Sequence, residues 1–166
     1  FARAAFEADG KVSLSVGTQS NGQGHETAYP QIAADLLALP IDAFRFHQGD
    51  TDLLPGGNGH GGARSMHMGG TALVLAIEAL IEKGRRIAAH LLQSAVDQVA
   101  LPDGNFVVRG TDRSIAIVQL ADAARDPANL PEGMTPGLDG DATNRCDLYT
   151  FPNGCRLGDT IDAARE

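Results

Sequence analysis

Alternating hydrophobic and polar positions predict three short strands in the first fifty residues. Valine and leucine alternate with serine over residues 11–16, the period-2 pattern of a half-buried strand. A turn sequence at residues 9–10 precedes this strand, so we expect residues 4–7 to form its hairpin partner. Phenylalanines alternate with arginine and histidine over residues 44–47 and predict a further strand that ends at Gly49.

Between the second and third predicted strands, the pattern changes to that of a helix. Apolar side chains recur at helical spacing from Tyr29 to Leu37 and define one buried face. Proline is tolerated only in the first helical turn, so Pro30 sets the start of the helix no earlier than about Glu26. The Leu39-Pro40 pair predicts its end, because the residue before a proline avoids the helical region.

The longest periodic segment predicts a second helix over residues 65–94. Its first turns contain Gly69 and Gly70, which lower helix stability unless another group must approach closely there. Beyond it, turn sequences flank apolar runs that predict strands at residues 106–108 and 114–117. A short helix is predicted over residues 118–124.

The region after the short helix is predicted to be a loop. Acidic residues, prolines and glycines dominate residues 122–141, and we interpret residues 125–145 as a long surface loop or linker. Residues 148–151 predict one last strand. The order of elements predicts a mixed α/β (α+β) fold with a mixed sheet and two main helices, in one domain over residues 1–166.

Composition narrows the class of protein. The 166 residues include 13 Lys and Arg against 21 Asp and Glu, a net charge of -8 that argues against nucleic acid or an anionic membrane as the main partner. The longest apolar run, residues 72–77, is too short to cross a bilayer. Cys146 and Cys155 lack metal-ligand spacing, which favours free thiols and a cytoplasmic location. Because the chain opens at Phe1 with no initiator Met, we expect a segment of a longer protein.

Two glycine clusters carry the main functional signal. Residues 22–25 lead into the first predicted helix, and residues 56–65 lead into the second. The N–H groups at a helix N-terminus are unpaired and carry positive partial charge, and glycine lets an anion reach them. Two such sites indicate a bulky, phosphate-bearing ligand. The alternative is that the glycines only form tight turns between elements.

Other catalytic and binding motifs fail on their context. Gly57, Gly59 and Gly62 have the spacing of a dinucleotide-binding fingerprint, but a polar, proline-containing stretch stands where a strand must precede it. Ala63 occupies the position of the Walker A lysine, which excludes a P-loop. The five histidines match no metal-binding spacing, and no Ser-His-Asp or reactive-cysteine arrangement can be proposed. The spacing therefore identifies neither a metal site nor a catalytic residue.

Several literal strings, taken together in order, resemble the molybdenum-cofactor-binding subunit of the xanthine oxidase family. Within that family the resemblance is strongest to the aerobic carbon monoxide dehydrogenases. The strings are VGTQSNGQGHET at residues 16–27, GDTD at 49–52, GGARS at 61–65, GG at 69–70, GTDRS at 110–114 and TFPNGC at 150–155. The resemblance extends along nearly the whole chain, to Cys155.

The resemblance implies that two loops hold a molybdenum-molybdopterin cofactor, which carries a pyrophosphate when it is in the cytosine dinucleotide form. It places Gly62 nearest the metal. Ala63 stands where relatives commonly have serine, and His60 where threonine or tyrosine is frequent. The implied cofactor-binding residues are Gly22, Gln23, Gly24, His25, Gly61, Gly62, Ala63, Arg64 and Ser65.

The family reaction is the oxidative hydroxylation of a small-molecule substrate, with electrons leaving through 2Fe-2S clusters and FAD on partner subunits. The resemblance therefore implies a fragment of a catalytic large subunit that is inactive alone, with the family's catalytic glutamate outside this segment. The alternative that the residues leave open is a phosphate- or nucleotide-binding module without redox chemistry.

Overall fold

The structure is a computed structural model, and it describes residues 1–57 and 64–144. The predicted last strand at residues 148–151, Cys146 and Cys155 lie outside the described residues, as does the glycine-rich segment 58–63. No helix in the described part of the chain is long and apolar enough to cross a membrane.

A four-stranded sheet forms the centre of the fold, with strands β1 (Ala2–Phe6), β2 (Val12–Val16), β3 (Phe44–His47) and β7 (Asp139–Ala142). Their order across the sheet is β3-β2-β1-β7. The predicted hairpin is confirmed: β1 (Ala2–Phe6) pairs antiparallel with β2 (Val12–Val16). The predicted third strand, β3 (Phe44–His47), lies parallel to β2. Parallel neighbours need a crossover connection, and the first predicted helix supplies it.

The helices largely agree with the sequence pattern. Helix α1 spans His25–Leu37, so it starts one residue before the predicted limit at Glu26, and Pro30 lies in its second turn, where it removes one backbone hydrogen bond. The second predicted helix is confirmed as α2 (Thr71–Leu91). The first residues of the predicted helix, Ser65–Gly70, form a π-helical turn and not α-helix. Such turns are rare and are frequently found at functional sites.

A smaller three-stranded sheet, in the order β4-β5-β6, lies beyond α2. Strand β4 (Val99–Ala100) pairs with β5 (Asn105–Val108), and β5 pairs with β6 (Ser114–Ala116), all antiparallel. Helix α3 (Ile117–Ala123) follows directly. This agrees closely with the strands and short helix expected from the sequence, and it confirms the mixed α/β fold.

The interpretation of residues 125–145 as loop or linker was wrong at its C-terminal end. Strand β7 (Asp139–Ala142) is an edge strand of the main sheet, paired antiparallel with β1. Its sequence DGDA has no hydrophobic alternation, because its contact with α2 is made through a glycine backbone. A Cβ built on Gly140 would lie 2.3 Å from the carbonyl oxygen of Ala76 in α2.

Helix α2 covers one face of the main sheet and supplies much of the core. Hydrophobic residues at helical spacing along α2 are fully buried, including Leu73, Ile77, Leu80 and Ile87. On β1 and β2, alternate residues face the helix, so Ala4 and Leu14 are also fully buried. Burial of this extent is the main favourable term that holds the sheet and helix together.

Candidate functional site

The candidate site lies where several strands of the main sheet end together. We call this region the strand-end edge, as distinct from the lateral edge formed by β7. Because β2 and β3 are parallel, their C-terminal ends at Val16 and His47 share this edge. Ala2 pairs with both Val16 and Ala142, so the end of β7 reaches the same edge. Ligands of open α/β sheets bind in this position, beyond the carboxyl ends of the strands.

The first glycine loop turns through two left-handed residues. Gly22 and Gly24 have φ values of 93° and 77°, which favour glycine. The Gln23 side chain braces the loop: its amide nitrogen donates to the Gln19 carbonyl oxygen at 3.0 Å, and its amide oxygen accepts from the Asn21 N–H. Helix α1 starts at His25 with no side-chain cap from Gly24, while the N–H groups of Thr27 and Ala28 donate to the Gly24 carbonyl oxygen.

His25 is nearly fully enclosed although it begins a helix. The residue is only 2% exposed, and its ring stacks on Tyr29 with 4.8 Å between the ring centroids. Its Nδ1 atom is buried without a hydrogen-bond partner. A buried polar atom without a partner costs free energy, so this nitrogen is poised for a ligand contact.

The carboxylate of the next residue, Glu26, accepts hydrogen bonds from within the chain, unlike the His25 Nδ1 atom. Its carboxylate accepts a hydrogen bond from the Ser20 hydroxyl at 3.1 Å. Its own backbone N–H, and then Ser20, lower the pKa of Glu26 below the ordinary value. The ionised side chain lies in the first turn of α1, where negative charge interacts favourably with the helix dipole.

Of the second loop, the structure describes Arg64 and Ser65. Gly61, Gly62 and Ala63 lie outside the described residues. Ser65 is 6% exposed and begins the π-helical turn. Its carbonyl oxygen accepts a hydrogen bond of 2.8 Å from the Tyr29 hydroxyl of α1. The described ends of both predicted loops therefore meet around one tyrosine.

Close packing of glycines fixes the neighbouring segments at this edge. A Cβ on Gly69 would lie 2.5 Å from Thr18 Cγ2 and 2.8 Å from the Tyr29 hydroxyl oxygen. A Cβ on Gly57 would lie 2.4 Å from the carbonyl oxygen of Gly17. The position of Gly69 explains why a glycine stands at the start of the second predicted helix, because this turn must approach the end of β2 closely.

Three further residues, which no sequence pattern singles out, have polar atoms that are buried here without partners among the described residues. They are Gln48 after β3, His67 in the π-helical turn, and Asn144 after β7. The Asn144 amide nitrogen lies 3.5 Å from the Met68 carbonyl oxygen, while its Oδ1 atom has no partner. Only the tertiary structure brings these positions to one edge, so no local pattern could have revealed them.

With His25, these residues give the edge four buried polar atoms that lack partners in the described part of the chain: two imidazole nitrogens and two amide oxygens. Imidazole nitrogens can donate or accept hydrogen bonds, and the amide oxygens accept them. Such a set suits a ligand with both hydrogen-bond donors and acceptors. The N-terminus of α1 adds positive partial charge from the helix dipole, which the ionised Glu26 carboxylate in the first turn partly offsets.

A separate shallow cavity of about 360 Å³ lies on the sheet face opposite α2. It is lined by Arg3, Ser13, Ser15, Asp52 and Asp139, among others. None of the predicted site residues that the structure describes lines this cavity. The candidate site is therefore the strand-end edge and not this cavity.

Comparisons with known proteins identify the domain type. Residues 1–157 match the family described as "Molybdopterin cofactor-binding domain". The chain is 36% identical over 149 residues to the 6-hydroxypseudooxynicotine dehydrogenase complex subunit gamma of Paenarthrobacter nicotinovorans. It is 34% identical over 149 residues to the carbon monoxide dehydrogenase large chain of Hydrogenophaga pseudoflava. These alignments cover 89% of this chain but only 19% and 18% of the two relatives.

Solved structures show the same relationship. The fold matches the Cu,Mo-CO dehydrogenase with a TM-score of 0.77 and 34% identity, over 84% of this chain and 17% of that one. It matches quinoline 2-oxidoreductase from Pseudomonas putida with a TM-score of 0.75 and 30% identity, over 86% of this chain and 18% of that one. The chain thus spans less than a fifth of the proteins that it matches.

Proposed function

The chain belongs to the molybdopterin cofactor-binding domain family, and we propose that it forms one side of the molybdenum-cofactor site in the large subunit of a molybdenum hydroxylase. In this proposal, residues 1–166 are part of the cofactor-binding domain of a longer subunit. The observation that carries it is the set of four buried polar atoms without partners at the edge of the sheet where both glycine loops lie.

The residues at this edge fit a molybdopterin cofactor. Its pterin is flat and rich in ring nitrogens and exocyclic polar groups, which suits imidazole and amide partners. We assign His25, with its unpartnered Nδ1 atom, to direct contact with the cofactor. Backbone N–H groups at the start of α1, after Gly22 and Gly24, would bind its phosphate oxygens.

The remaining predicted residues have distinct proposed roles. Gln23 holds the shape of the first loop through its hydrogen bond to Gln19. Arg64 would add positive charge beside the anionic cofactor, and Ser65 a buried hydroxyl. We propose the same cofactor contacts for Gly61, Gly62 and Ala63 as the family resemblance implies. We propose the cytosine dinucleotide form of the cofactor, because its pyrophosphate suits glycine-rich segments that each precede a helix.

When bound, the molybdenum centre supplies the redox chemistry of oxidative hydroxylation. The residues of this chain bind and orient the cofactor and exclude water from the buried edge where His25 lies. Relatives named for different substrates, carbon monoxide, nicotine and xanthine, share this segment. This supports a role in binding the common cofactor, with the choice of substrate made elsewhere in the subunit.

We propose partner subunits that carry 2Fe-2S clusters and FAD and accept the electrons. Relatives are named as the gamma subunit of a complex and as a large chain, which supports a multi-subunit assembly. We also propose a cytoplasmic location, which the sequence favours. The alternative, a phosphate- or nucleotide-binding module without redox chemistry, gains no support from the matches.

The experiment that tests this function removes the proposed cofactor contact of His25 in the full-length protein that contains this chain. The variant His25→Phe keeps an aromatic ring against Tyr29 but lacks Nδ1. We expect this variant to be purified with less pterin and molybdenum per chain than the wild type. The control is His90→Phe, at an exposed position near the end of α2, which should keep the wild-type content. Full cofactor content in His25→Phe would remove His25 from the site.

A further inference from the structure

Tyr29 contacts both cofactor loops at once. Its hydroxyl donates to the Ser65 carbonyl oxygen at 2.8 Å, and its ring stacks on His25 at 4.8 Å. The ring also packs edge-on against Phe46 of β3, with 5.2 Å between centroids. One side chain therefore joins the start of α1, the end of the second loop and the central sheet.

The hydroxyl is fully buried and completely satisfied. Tyr29 is 0% exposed, and its hydroxyl oxygen lies 3.2 Å from Thr18 Oγ1. Because the tyrosine proton is used for the Ser65 carbonyl oxygen, Thr18 is the donor of the second bond. Phenylalanine would fill this buried space without the cost of burying a hydroxyl group. The hydroxyl of Tyr29 therefore has a role beyond packing.

We propose that Tyr29 is a positioning residue of the cofactor site, whose hydroxyl fixes the Arg64–Ser65 end of the second loop relative to His25 in the first. This inference rests on the proposed function. Without the hydroxyl, the Ser65 carbonyl loses its contact to α1, while the His25 stacking remains. The Arg64–Ser65 end is then free to shift away from the bound cofactor, and the cofactor dissociates faster.

The test measures the rate of pterin release from the full-length, cofactor-loaded protein in a fixed, mild concentration of urea. In Tyr29→Phe, which loses the hydrogen bonds to Ser65 and Thr18, we expect release about threefold to tenfold faster, mainly from the lost bond to Ser65. Replacing Tyr29 with 4-aminophenylalanine, which donates a hydrogen bond from the same position, should restore the slow rate. Replacing it with 4-methylphenylalanine, which fills the position without donating, should not.

The 4-aminophenylalanine and 4-methylphenylalanine variants keep the test decisive if Tyr29→Phe does not fold, because both side chains fill the space of the hydroxyl. Thr18→Val is a further comparison: it removes the bond from Thr18 but keeps the bond to Ser65, so release should accelerate less than in Tyr29→Phe. A purely structural role would lower the melting temperature of the cofactor-free protein and leave the release rates of the amino and methyl variants equal.

Equal release rates of the amino and methyl variants, from a wild-type protein that holds pterin, would overturn the inference and leave the proposed function intact. A wild-type protein without pterin would instead contradict the proposed function itself. The two failures are thereby distinguished.

Discussion

Gly69 lies so close to Thr18 that a Cβ at position 69 would fall 2.5 Å from Thr18 Cγ2. The added methyl group would also meet the Tyr29 hydroxyl oxygen at 2.8 Å. We therefore predict that Gly69→Ala pushes the π-helical turn away from the end of β2. The expected loss is about 1–3 kcal/mol in the free energy of unfolding, which is typical of overpacking. Equilibrium urea unfolding of the chain measures it.

The adjacent glycine is the matched control. A Cβ at Gly70 would meet Met66 Sδ at 2.8 Å, but Met66 is 43% exposed and its flexible side chain can move. Gly70→Ala should therefore be neutral, or stabilising by up to about 1 kcal/mol through the higher helix propensity of alanine. Equal losses in the two variants would contradict the close approach at Gly69.

The second prediction concerns the close approach of Gly57 to the end of β2. Gly57 contacts the backbone of Gly17, and a Cβ at position 57 would lie 2.4 Å from the Gly17 carbonyl oxygen, which cannot rotate away. Gly57→Ala should lower the free energy of unfolding by about 1–3 kcal/mol. Gly56→Ala places its Cβ in open space and should leave the urea midpoint unchanged. A stable Gly57→Ala chain would refute the contact between these backbones.

The third prediction tests strand β7. A Cβ at Gly140 would lie 2.3 Å from the Ala76 carbonyl oxygen and 2.4 Å from the Leu80 nitrogen, both in the backbone of α2. Gly140→Ala should destabilise the chain by about 3 kcal/mol, since a helix backbone cannot give way. Hydrogen exchange should show loss of protection in β1 and β7. Asp141→Ala, at an exposed position of the same strand, should retain protection.

The fourth prediction concerns alkaline pH. Burial raises the pKa of Tyr29 above the ordinary value of 10.0, because it disfavours the phenolate. The folded chain therefore binds the tyrosine proton more tightly than the unfolded chain. This contribution to stability is complete below the unfolded pKa and is lost as pH rises toward the folded pKa. Urea midpoints measured up to and beyond pH 10.0 should fall more steeply in the wild type than in Tyr29→Phe. Parallel pH profiles would contradict the burial of this hydroxyl.

The local pattern of hydrophobic and polar residues was sufficient to predict most of the fold. Period-2 alternation at Val12–Val16 and helical spacing from Tyr29 to Leu37 correspond to a strand and a helix that the structure contains. Strand β7 was missed because Gly140 packs through its backbone and leaves no hydrophobic pattern. The π-helical start of α2 was also missed, since the glycine pair signalled close approach but not the helix type.

The candidate site was predictable only in part. The first glycine loop and Ser65 stand out because their residue types precede predicted helices. Gln48 and Asn144 carry no local signal, because they reach the site from the ends of β3 and β7, which pair with different neighbours in the sheet. The role of Tyr29 likewise depends on Ser65, 36 residues away in sequence. Apolar periodicity explains the buried ring of Tyr29 but not its hydroxyl.

The most direct test of the account is the cofactor content of the full-length protein, purified with its copurifying subunits from a host that makes molybdopterin. Molybdenum, released pterin, iron and flavin should be quantified per chain. The account predicts molybdenum and pterin in stoichiometric amounts, together with iron and flavin. A folded protein without molybdenum and pterin, from a host whose other molybdenum enzymes are fully loaded, would contradict it.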